Sequence, residues 1–154
     1  MRTLFSIIAM LGFVIIASAN ETGIEKSDSK VKAKATAGKI DADGNQTVTI
    51  TLDIAKGWHL YANPVRHNND FLNGNKTVVK IAAKDKVSIK PKYPEGMTVK
   101  DKDEEYDVYK GVVKIDVQVI RTKGDTSPLE ISINVSACDD KACLAPGVVK
   151  LTAR

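Results

Sequence analysis

The stretch LEISINVSAC, residues 129–138, decides the fold because apolar and polar side chains alternate along it. Successive side chains of a β-strand point to opposite faces of a sheet, so the alternation predicts a strand with one face on a core and one toward water. The apolar positions have odd numbers, and Cys138 falls in the even-numbered, polar set. The pattern therefore predicts that Cys138 lies at the exposed face of this strand.

The same period of two recurs along the chain. It is strict at 47–54 and 113–119, and weaker candidate strands lie at 31–37, 77–81, 87–89 and 148–151. Turn-forming residues separate these runs, and no stretch has a helical stripe of useful length. About seven short antiparallel strands in roughly a hundred residues are typical of a β-sandwich. The sequence therefore predicts an all-β fold, an immunoglobulin-like β-sandwich.

The N-terminus has the features of a secretory signal peptide. Arg2 gives a positive start, residues 4–16 are almost entirely apolar, and ASA at 17–19 is a small-residue cleavage site. The apolar run is shorter than the ~20 residues that span a bilayer, so we expect no stable membrane insertion after the leader is removed. We predict a periplasmic or secreted protein, cleaved near Ala19. The predicted division is a signal peptide over 1–19, a flexible lead-in over 20–30 and one domain over 31–154.

The charge pattern argues against nucleic-acid binding. The chain of 154 residues has a formal net charge of +4, and its lysines are dispersed, many of them alternating with apolar residues. Nucleic-acid-binding proteins usually concentrate their basic residues in one patch, and this sequence has no basic block with interleaved aromatics. The two histidines accompany no serine-nucleophile motif, and no glycine-rich phosphate loop follows a strand. A hydrolase or a nucleotide-binding protein is therefore not indicated.

Cys138 and Cys143 are the only two cysteines of the chain, and four residues separate them. A disulfide that closes so short a loop stabilises a fold by roughly 2 kcal/mol, against about 4.7 kcal/mol for a loop of about 100 residues. The pair is poorly placed as a structural link and well placed as a dithiol that opens and closes without disturbing the fold. Because plain disulfides are also common in exported hairpins, the spacing alone supports a redox role and a structural role equally.

Two further motifs accompany the cysteines, GWHLYANP at 57–64 and ACLAP at 142–146. Together with CDD at 138–140, they resemble the N-terminal periplasmic domain of the thiol:disulfide interchange protein DsbD. Members of that family share a strand of the form glycine–aromatic–X–leucine–tyrosine and two cysteines that bracket a short turn, with a proline soon after the second. The resemblance extends over about 31–151, and its specific motifs lie in the three quoted segments.

The resemblance implies an immunoglobulin-like domain that shuttles electrons. Cys138 and Cys143 match the redox pair, which a thioredoxin-like protein or domain reduces and which then reduces oxidised periplasmic proteins. His59 and Tyr61 match side chains that flank the pair, and Cys143 is the cysteine expected to form mixed disulfides. Family members also cover the disulfide with a mobile cap loop that carries an aromatic residue; here this corresponds to 101–109, with Tyr106 as the shield.

A thiol:disulfide oxidoreductase of this kind needs no cofactor beyond its own cysteines. The sequence contains no transmembrane electron conduit and no thioredoxin-like domain, so we expect the electron donor to be a separate protein acting in trans. Within GWHLYANP, the alternation places Trp58 and Leu60 on the core side of the strand and the two flanking residues on the other side.

Two alternatives remain open at this level. Cys138, Cys143, His59 and His67 have the ligand types of a zinc site or, with Met97, of a copper(I) site. The other alternative is a non-enzymatic, immunoglobulin-like interaction module whose disulfide only pins a hairpin. Replacing both cysteines separates the readings, because the module would keep its partner binding whereas an electron carrier would lose all activity and stay folded.

Overall fold

Antiparallel β-strands dominate the computed structural model, which describes residues 24–101 and 104–154. The predicted signal peptide lies outside these residues. A 3-10 helix at Ser27–Lys30 precedes the first strand, and a short helix, α1 (Asp70–Gly74), separates the third strand from the fourth. The strands are β1 (Val31–Ala37), β2 (Asn45–Ile54), β3 (His59–Tyr61), β4 (Val78–Ala82), β5 (Ser88–Lys92), β6 (Met97–Asp101), β7 (Glu104–Tyr109), β8 (Val112–Ile120), β9 (Leu129–Val135), β10 (Ala137–Cys138) and β11 (Gly147–Ala153).

The strands form three sheets, with orders β1-β2-β8-β5, β11-β9-β4 and β10-β3-β7-β6. Buried side chains of the first two sheets meet in one hydrophobic core, so the predicted all-β, immunoglobulin-like β-sandwich is confirmed. The third sheet includes β10, which carries Cys138. The core residues of β2, β8 and β9 are Val48, Ile50, Leu52, Ile54, Val113, Ile115, Val117, Val119, Leu129, Ile131, Ile133 and Val135.

The strict alternation at β2 and β8 arises because both strands bury one face only. Ile50 lies opposite Ile115 in the antiparallel register, and both are fully buried. The neighbouring pair, Thr49 and Asp116, lies on the outer face, where the threonine hydroxyl donates a 2.7 Å hydrogen bond to the carboxylate. Apolar pairs therefore meet inside and polar pairs outside, as the period of two predicts.

The segment 101–109 is mostly a strand, whereas the resemblance implies a cap loop there. β6 and β7 pair in an antiparallel register that places Val99 opposite Tyr106, and β7 also pairs with β3. The strand forms because Val99, Tyr106 and Val108 cover a second hydrophobic cluster, separate from the main core. Residues 102–103, at the tip of this hairpin, lie outside the described residues.

The predicted flexible lead-in over 20–30 is folded at its end. Ser27 is completely buried at the start of the 3-10 helix, and its backbone N–H donates a 2.9 Å hydrogen bond to the carbonyl of Ala145. The polar composition of the segment gave no sign of this burial, because the contacts are made by the backbone and one hydroxyl group. Among the described residues, no helix is long and apolar enough to cross a bilayer.

Candidate functional site

The two cysteines lie where the chain passes from one sheet to another. β9 ends at Val135, and after Ser136 the chain enters β10, which pairs with β3 so that Cys138 lies opposite His59. Cys143 then returns beside Cys138 in an isolated antiparallel bridge. We call residues 137–145 the cysteine hairpin.

Backbone hydrogen bonds close the cysteine hairpin. The N–H of Asp139 donates to the carbonyl of Ala142, and the N–H of Leu144 donates to the carbonyl of Ala137, each at 2.9 Å. The Asp139 carboxylate accepts from the N–H groups of Lys141 and Ala142 at 2.8 and 2.7 Å. These backbone donors, that of Ala142 foremost, lower the pKa of Asp139, so its charge stabilises the turn at neutral pH.

The cysteines form a disulfide with an S–S distance of 2.04 Å and a Cα–Cα distance of 4.0 Å. Their environments differ: Cys138 is 3% exposed, whereas Cys143 is an exposed residue at the surface. The prediction that Cys138 lies at an exposed face is therefore wrong. Cys143 is therefore the more accessible cysteine of the pair.

The burial of Cys138 comes from side chains that are distant in sequence. The alternation itself persists, because Ala137 lies in the main core and Cys138 lies on the opposite face. That face is covered by the second hydrophobic cluster, which we call the site cluster: Tyr61, Val65, Leu72, Val108 and Cys138, with Val99 and Tyr106 at its edge. A period-two pattern reports which face a residue occupies, and it does not report what covers that face.

Tyr61 lies directly against the disulfide. Its hydroxyl oxygen is 3.6 Å from the Cys138 sulfur and 3.8 Å from the Cys143 sulfur, and the residue is 5% exposed. A disulfide sulfur carries no hydrogen, so the hydroxyl is the donor in either contact. Burial raises the pKa of Tyr61, and the nearby Tyr106 and Asp101 raise it further. The phenol therefore keeps its proton at neutral pH.

His59 and Tyr106 lie on either side of Tyr61. The His59 ring is 6.3 Å from the Tyr61 ring in an edge-on arrangement, and the Tyr106 ring is 5.8 Å away and tilted. Burial lowers the pKa of His59, with a smaller contribution from Lys110, so the imidazole is neutral at pH 7. The structure thus brings Cys138, Cys143, His59, Tyr61 and Tyr106 into one neighbourhood.

Sequence reasoning missed an ion pair between a buried carboxylate, Asp107, and the half-exposed guanidinium of Arg66. Asp107 is 1% exposed; its carboxylate accepts a 2.7 Å hydrogen bond from the Thr98 hydroxyl and contacts the Arg66 guanidinium at 3.0 Å. Its backbone also bonds to Ala62 and Val65, which ties the loop after β3 to β7. In the sequence, Asp107 is flanked by Tyr106 and Val108, and these neighbours were the only indication of its burial.

Among the described residues, the residues of the alternative metal site do not form a ligand set for a metal ion. Within 24–101 and 104–154, no three side chains of the histidine, cysteine, aspartate or glutamate type converge in a way that could hold a metal ion. His67 instead accepts a hydrogen bond from the backbone of Asn69 through Nδ1, at 2.9 Å, and so helps to start α1. The two cysteine sulfurs that a metal site would use as ligands are bonded to each other in the disulfide.

Comparisons with known proteins place these features in a family. The family model described as "Thiol:disulfide interchange protein DsbD, N-terminal" matches residues 27–152. No protein with a curated description matches the chain in sequence. The family match begins at the buried Ser27 and includes both cysteines.

Several solved structures share the fold. The N-terminal periplasmic domain of ScsB from Proteus mirabilis is 14% identical with a TM-score of 0.56; the alignment covers 79% of this chain and 44% of that one. The reduced DsbD N-terminal domain of Neisseria meningitidis is 15% identical with a TM-score of 0.53, over 83% of this chain and 87% of that one. The complex of the DsbD and PilB N-terminal domains, also from Neisseria meningitidis, aligns at 16% identity and a TM-score of 0.51, over 77% and 80% of the chains.

Proposed function

The chain belongs to the family of the N-terminal domain of the thiol:disulfide interchange protein DsbD, and on this premise we propose that it carries electrons between proteins through Cys138 and Cys143. In this proposal a thioredoxin-like protein or domain, acting in trans, reduces the disulfide. The resulting dithiol then reduces oxidised partner proteins. Family membership supports thiol:disulfide interchange in general, and the direction of transfer and the partners are part of the proposal.

The observation that carries the proposal is the difference between the two sulfur environments. An exchange reaction needs one sulfur that a partner's thiolate reaches and one that leaves as a stabilised thiolate. Cys143 is exposed and fits the first requirement. Cys138 is buried beside the hydroxyl of Tyr61 and fits the second. A purely structural disulfide requires neither property.

The first half-reaction proceeds through a mixed disulfide. A partner thiolate attacks the sulfur of Cys143, the S–S bond breaks, and its electron pair leaves on the sulfur of Cys138. The second thiolate of the partner then attacks the partner's own sulfur in the mixed disulfide and expels Cys143 as a thiolate. The domain gains two electrons and becomes a dithiol, while the partner becomes a disulfide.

Tyr61 acts on the leaving sulfur. As negative charge develops on the Cys138 sulfur, the hydroxyl 3.6 Å away turns its proton toward it. A hydrogen bond to a charged acceptor is stronger than one to a neutral acceptor, so the contact stabilises the thiolate more than the disulfide. Its raised pKa keeps the donor protonated throughout.

Similar proteins support the proposed partner and compartment. The DsbD N-terminal domain of Neisseria meningitidis forms a complex with the PilB N-terminal domain, which supports a partner that docks in trans. The ScsB relative is a periplasmic domain, which supports a periplasmic location for this chain. Export by the predicted signal peptide, with cleavage near Ala19, belongs to the same proposal.

A trapping experiment tests the function and the roles of the two sulfurs together. The probe is a thioredoxin variant with one active-site cysteine, activated as its mixed disulfide with thionitrobenzoate. We expect Cys138→Ala, which leaves Cys143 free, to release thionitrobenzoate and form a covalent complex quickly. The matched variant, Cys143→Ala, leaves only the buried thiol and should react at least tenfold more slowly, since thiolate exchange requires access. Equal rates would refute the assignment of Cys143.

The reduction potential separates an electron carrier from an interaction module. The folded, wild-type protein is equilibrated with mixtures of reduced and oxidised glutathione, and the fraction of disulfide is measured by thiol alkylation. A carrier exchanges under these conditions, with a potential above about −300 mV, whereas structural disulfides usually lie below this value. If the cysteine pair does not exchange with glutathione in the folded protein, the electron-carrier function is refuted and the non-enzymatic interaction module is the remaining interpretation.

A further inference from the structure

The segment just before β1 crosses the base of the cysteine hairpin. We call residues 26–30 the N-terminal strap. Lys26 forms a parallel bridge with Ala145, and the N–H of Ser27 donates to the carbonyl of Ala145 at 2.9 Å. Ser27 has no exposed surface. The strap therefore contacts the strand that follows Cys143 through buried backbone groups.

The hydroxyl of Ser27 links both arms of the hairpin. It donates a 2.8 Å hydrogen bond to the carbonyl of Ala145, and it accepts a 2.8 Å hydrogen bond from the N–H of Ala137. Ala137 immediately precedes Cys138, and Ala145 follows Cys143 by two residues. One buried hydroxyl thus bridges the two strands that carry the sulfurs, at a point that does not include the S–S bond.

A second contact fixes the strap beside the hairpin. Asp28 packs against Gly147, where β11 begins, so closely that a Cβ on Gly147 would collide with the Asp28 carboxylate and with its backbone nitrogen. Only a residue without a side chain fits there. The position of Ser27 is therefore set by the protein around it and does not depend on the disulfide.

We infer that Ser27 is a positioning residue for thiol:disulfide exchange: it holds the two cysteine-bearing strands together when the disulfide is open. This inference rests on the proposed function. Two thiols that stay close re-form their bond more readily, because less chain entropy is lost on closure. The bridge through Ser27 persists in the dithiol form, so the protein keeps the sulfurs within reach during each cycle.

The redox equilibrium of Ser27→Ala tests the inference. The reaction is dithiol plus oxidised glutathione giving disulfide plus two reduced glutathione molecules, so atoms and electrons balance. We expect the equilibrium constant for disulfide formation to fall roughly three- to tenfold, since one hydrogen-bonded bridge contributes about 0.5–1.5 kcal/mol. A merely structural role would weaken the oxidised and reduced proteins equally and leave this constant unchanged, and that result would overturn the inference.

The chain offers a matched control in Ser29, on the same turn. Its hydroxyl is exposed and donates to Glu25 at 2.9 Å, away from the hairpin. Ser29→Ala should keep the wild-type equilibrium constant. If Ser27→Ala does not fold, a second pair of variants tests the same inference. Gly147→Ala displaces the strap and should lower the equilibrium constant for disulfide formation. Gly74→Ala, where a Cβ meets nothing within 4 Å, should leave that constant unchanged.

Amide hydrogen exchange of the wild-type protein tests the inference about Ser27 without any substitution. After reduction with a phosphine, the Ala137 N–H should remain protected, because its acceptor is the Ser27 hydroxyl. Exchange at the rate of an unstructured amide would overturn the inference even if the protein reacts with glutathione. A disulfide that resists glutathione but keeps Ala137 protected on reduction would instead refute the proposed function and leave the bridge intact.

Discussion

At the scale of single residues, the site depends on one phenol, that of Tyr61, which lies against both sulfurs of the disulfide. Tyr61 belongs to the site cluster, and its hydroxyl lies within 3.8 Å of both sulfur atoms. Its ring also packs in the site cluster, so a substitution that keeps the ring isolates the contribution of the hydroxyl group.

We expect Tyr61→Phe to slow reduction of the disulfide by roughly tenfold, since hydrogen bonds to charged groups contribute about 1.5–3 kcal/mol and this one acts across a long sulfur contact. The pKa of the Cys138 thiol in the dithiol form should rise in the same variant. Stopped-flow reduction by dithiothreitol and titration of thiolate absorbance measure the two effects. Tyr106→Phe, which removes a hydroxyl from the neighbouring ring, is the matched control, and an equal effect there would contradict the assignment.

His59 should make stability depend on pH. Burial places its pKa in the folded protein below the ordinary value of 6.5. As pH falls from about 6.5 through the lower, folded-state pKa, unfolding takes up a proton, so the free energy of unfolding of the oxidised protein decreases. His59→Gln removes this part of the dependence. Urea unfolding between pH 7.5 and 5 compares the two proteins, and parallel profiles would contradict the prediction.

At the scale of elements, the β6–β7 hairpin shows where sequence patterns stop being informative. β2, β8 and β9 were predictable because each buries one full face in the main core. In β6 and the start of β7 nearly all residues are exposed or only half-buried, and a few apolar side chains reach the site cluster. Without a buried face the period of two is lost, so the segment could not be predicted as a strand.

The same hairpin depends on Asp107, and its removal should destabilise the domain. Asp107→Ala eliminates the contacts of the buried carboxylate with Thr98 and Arg66. Because Arg66 is half-exposed and hydrates when it loses its partner, we expect a moderate loss of about 2 kcal/mol in the free energy of unfolding. Urea denaturation measures it.

Glu105→Ala is the control for Asp107→Ala. Glu105 lies on the same strand, and its carboxylate is 3.9 Å from the ammonium group of Lys100 in an exposed pair. Exposed ion pairs contribute between about 0 and 1 kcal/mol, so this variant should unfold close to the wild-type midpoint. Equal losses in the two variants would show that the contacts of the buried Asp107 carboxylate have no special role.

At the scale of the whole molecule, the fold does not depend on the disulfide. The main core is formed mostly by the sheets β1-β2-β8-β5 and β11-β9-β4, and Cys138 lies outside it, in the site cluster on the third sheet. A bond that closes a loop of about six residues contributes roughly 2 kcal/mol. We therefore expect the reduced protein to remain folded, with a free energy of unfolding lower by about that amount. Urea unfolding of the oxidised and reduced forms checks this; a reduced protein without a cooperative transition would contradict it.

The sequence predicted more of the fold than of the site's environment. The sandwich follows from local alternation. Cys138, Cys143, His59 and Tyr61 lie in three short motifs, and Tyr106 lies in the segment matched to the cap loop. The burial of Cys138 needed Val65, Leu72 and Val108, which come from three separate segments and meet only in the folded chain. The role of Ser27 was equally hidden, because a serine in a polar segment has the same local pattern whether its hydroxyl faces water or bridges two strands.

The unequal burial of the two cysteines limits how many partner proteins can be bonded to one domain at the same time. In the proposed exchange, the Cys138 sulfur stays buried beside Tyr61 while Cys143 is bonded to a partner protein. A second partner would not reach it, so we expect one copy of the domain not to cross-link two molecules. We therefore expect the donor and the acceptor to react with the domain one after the other.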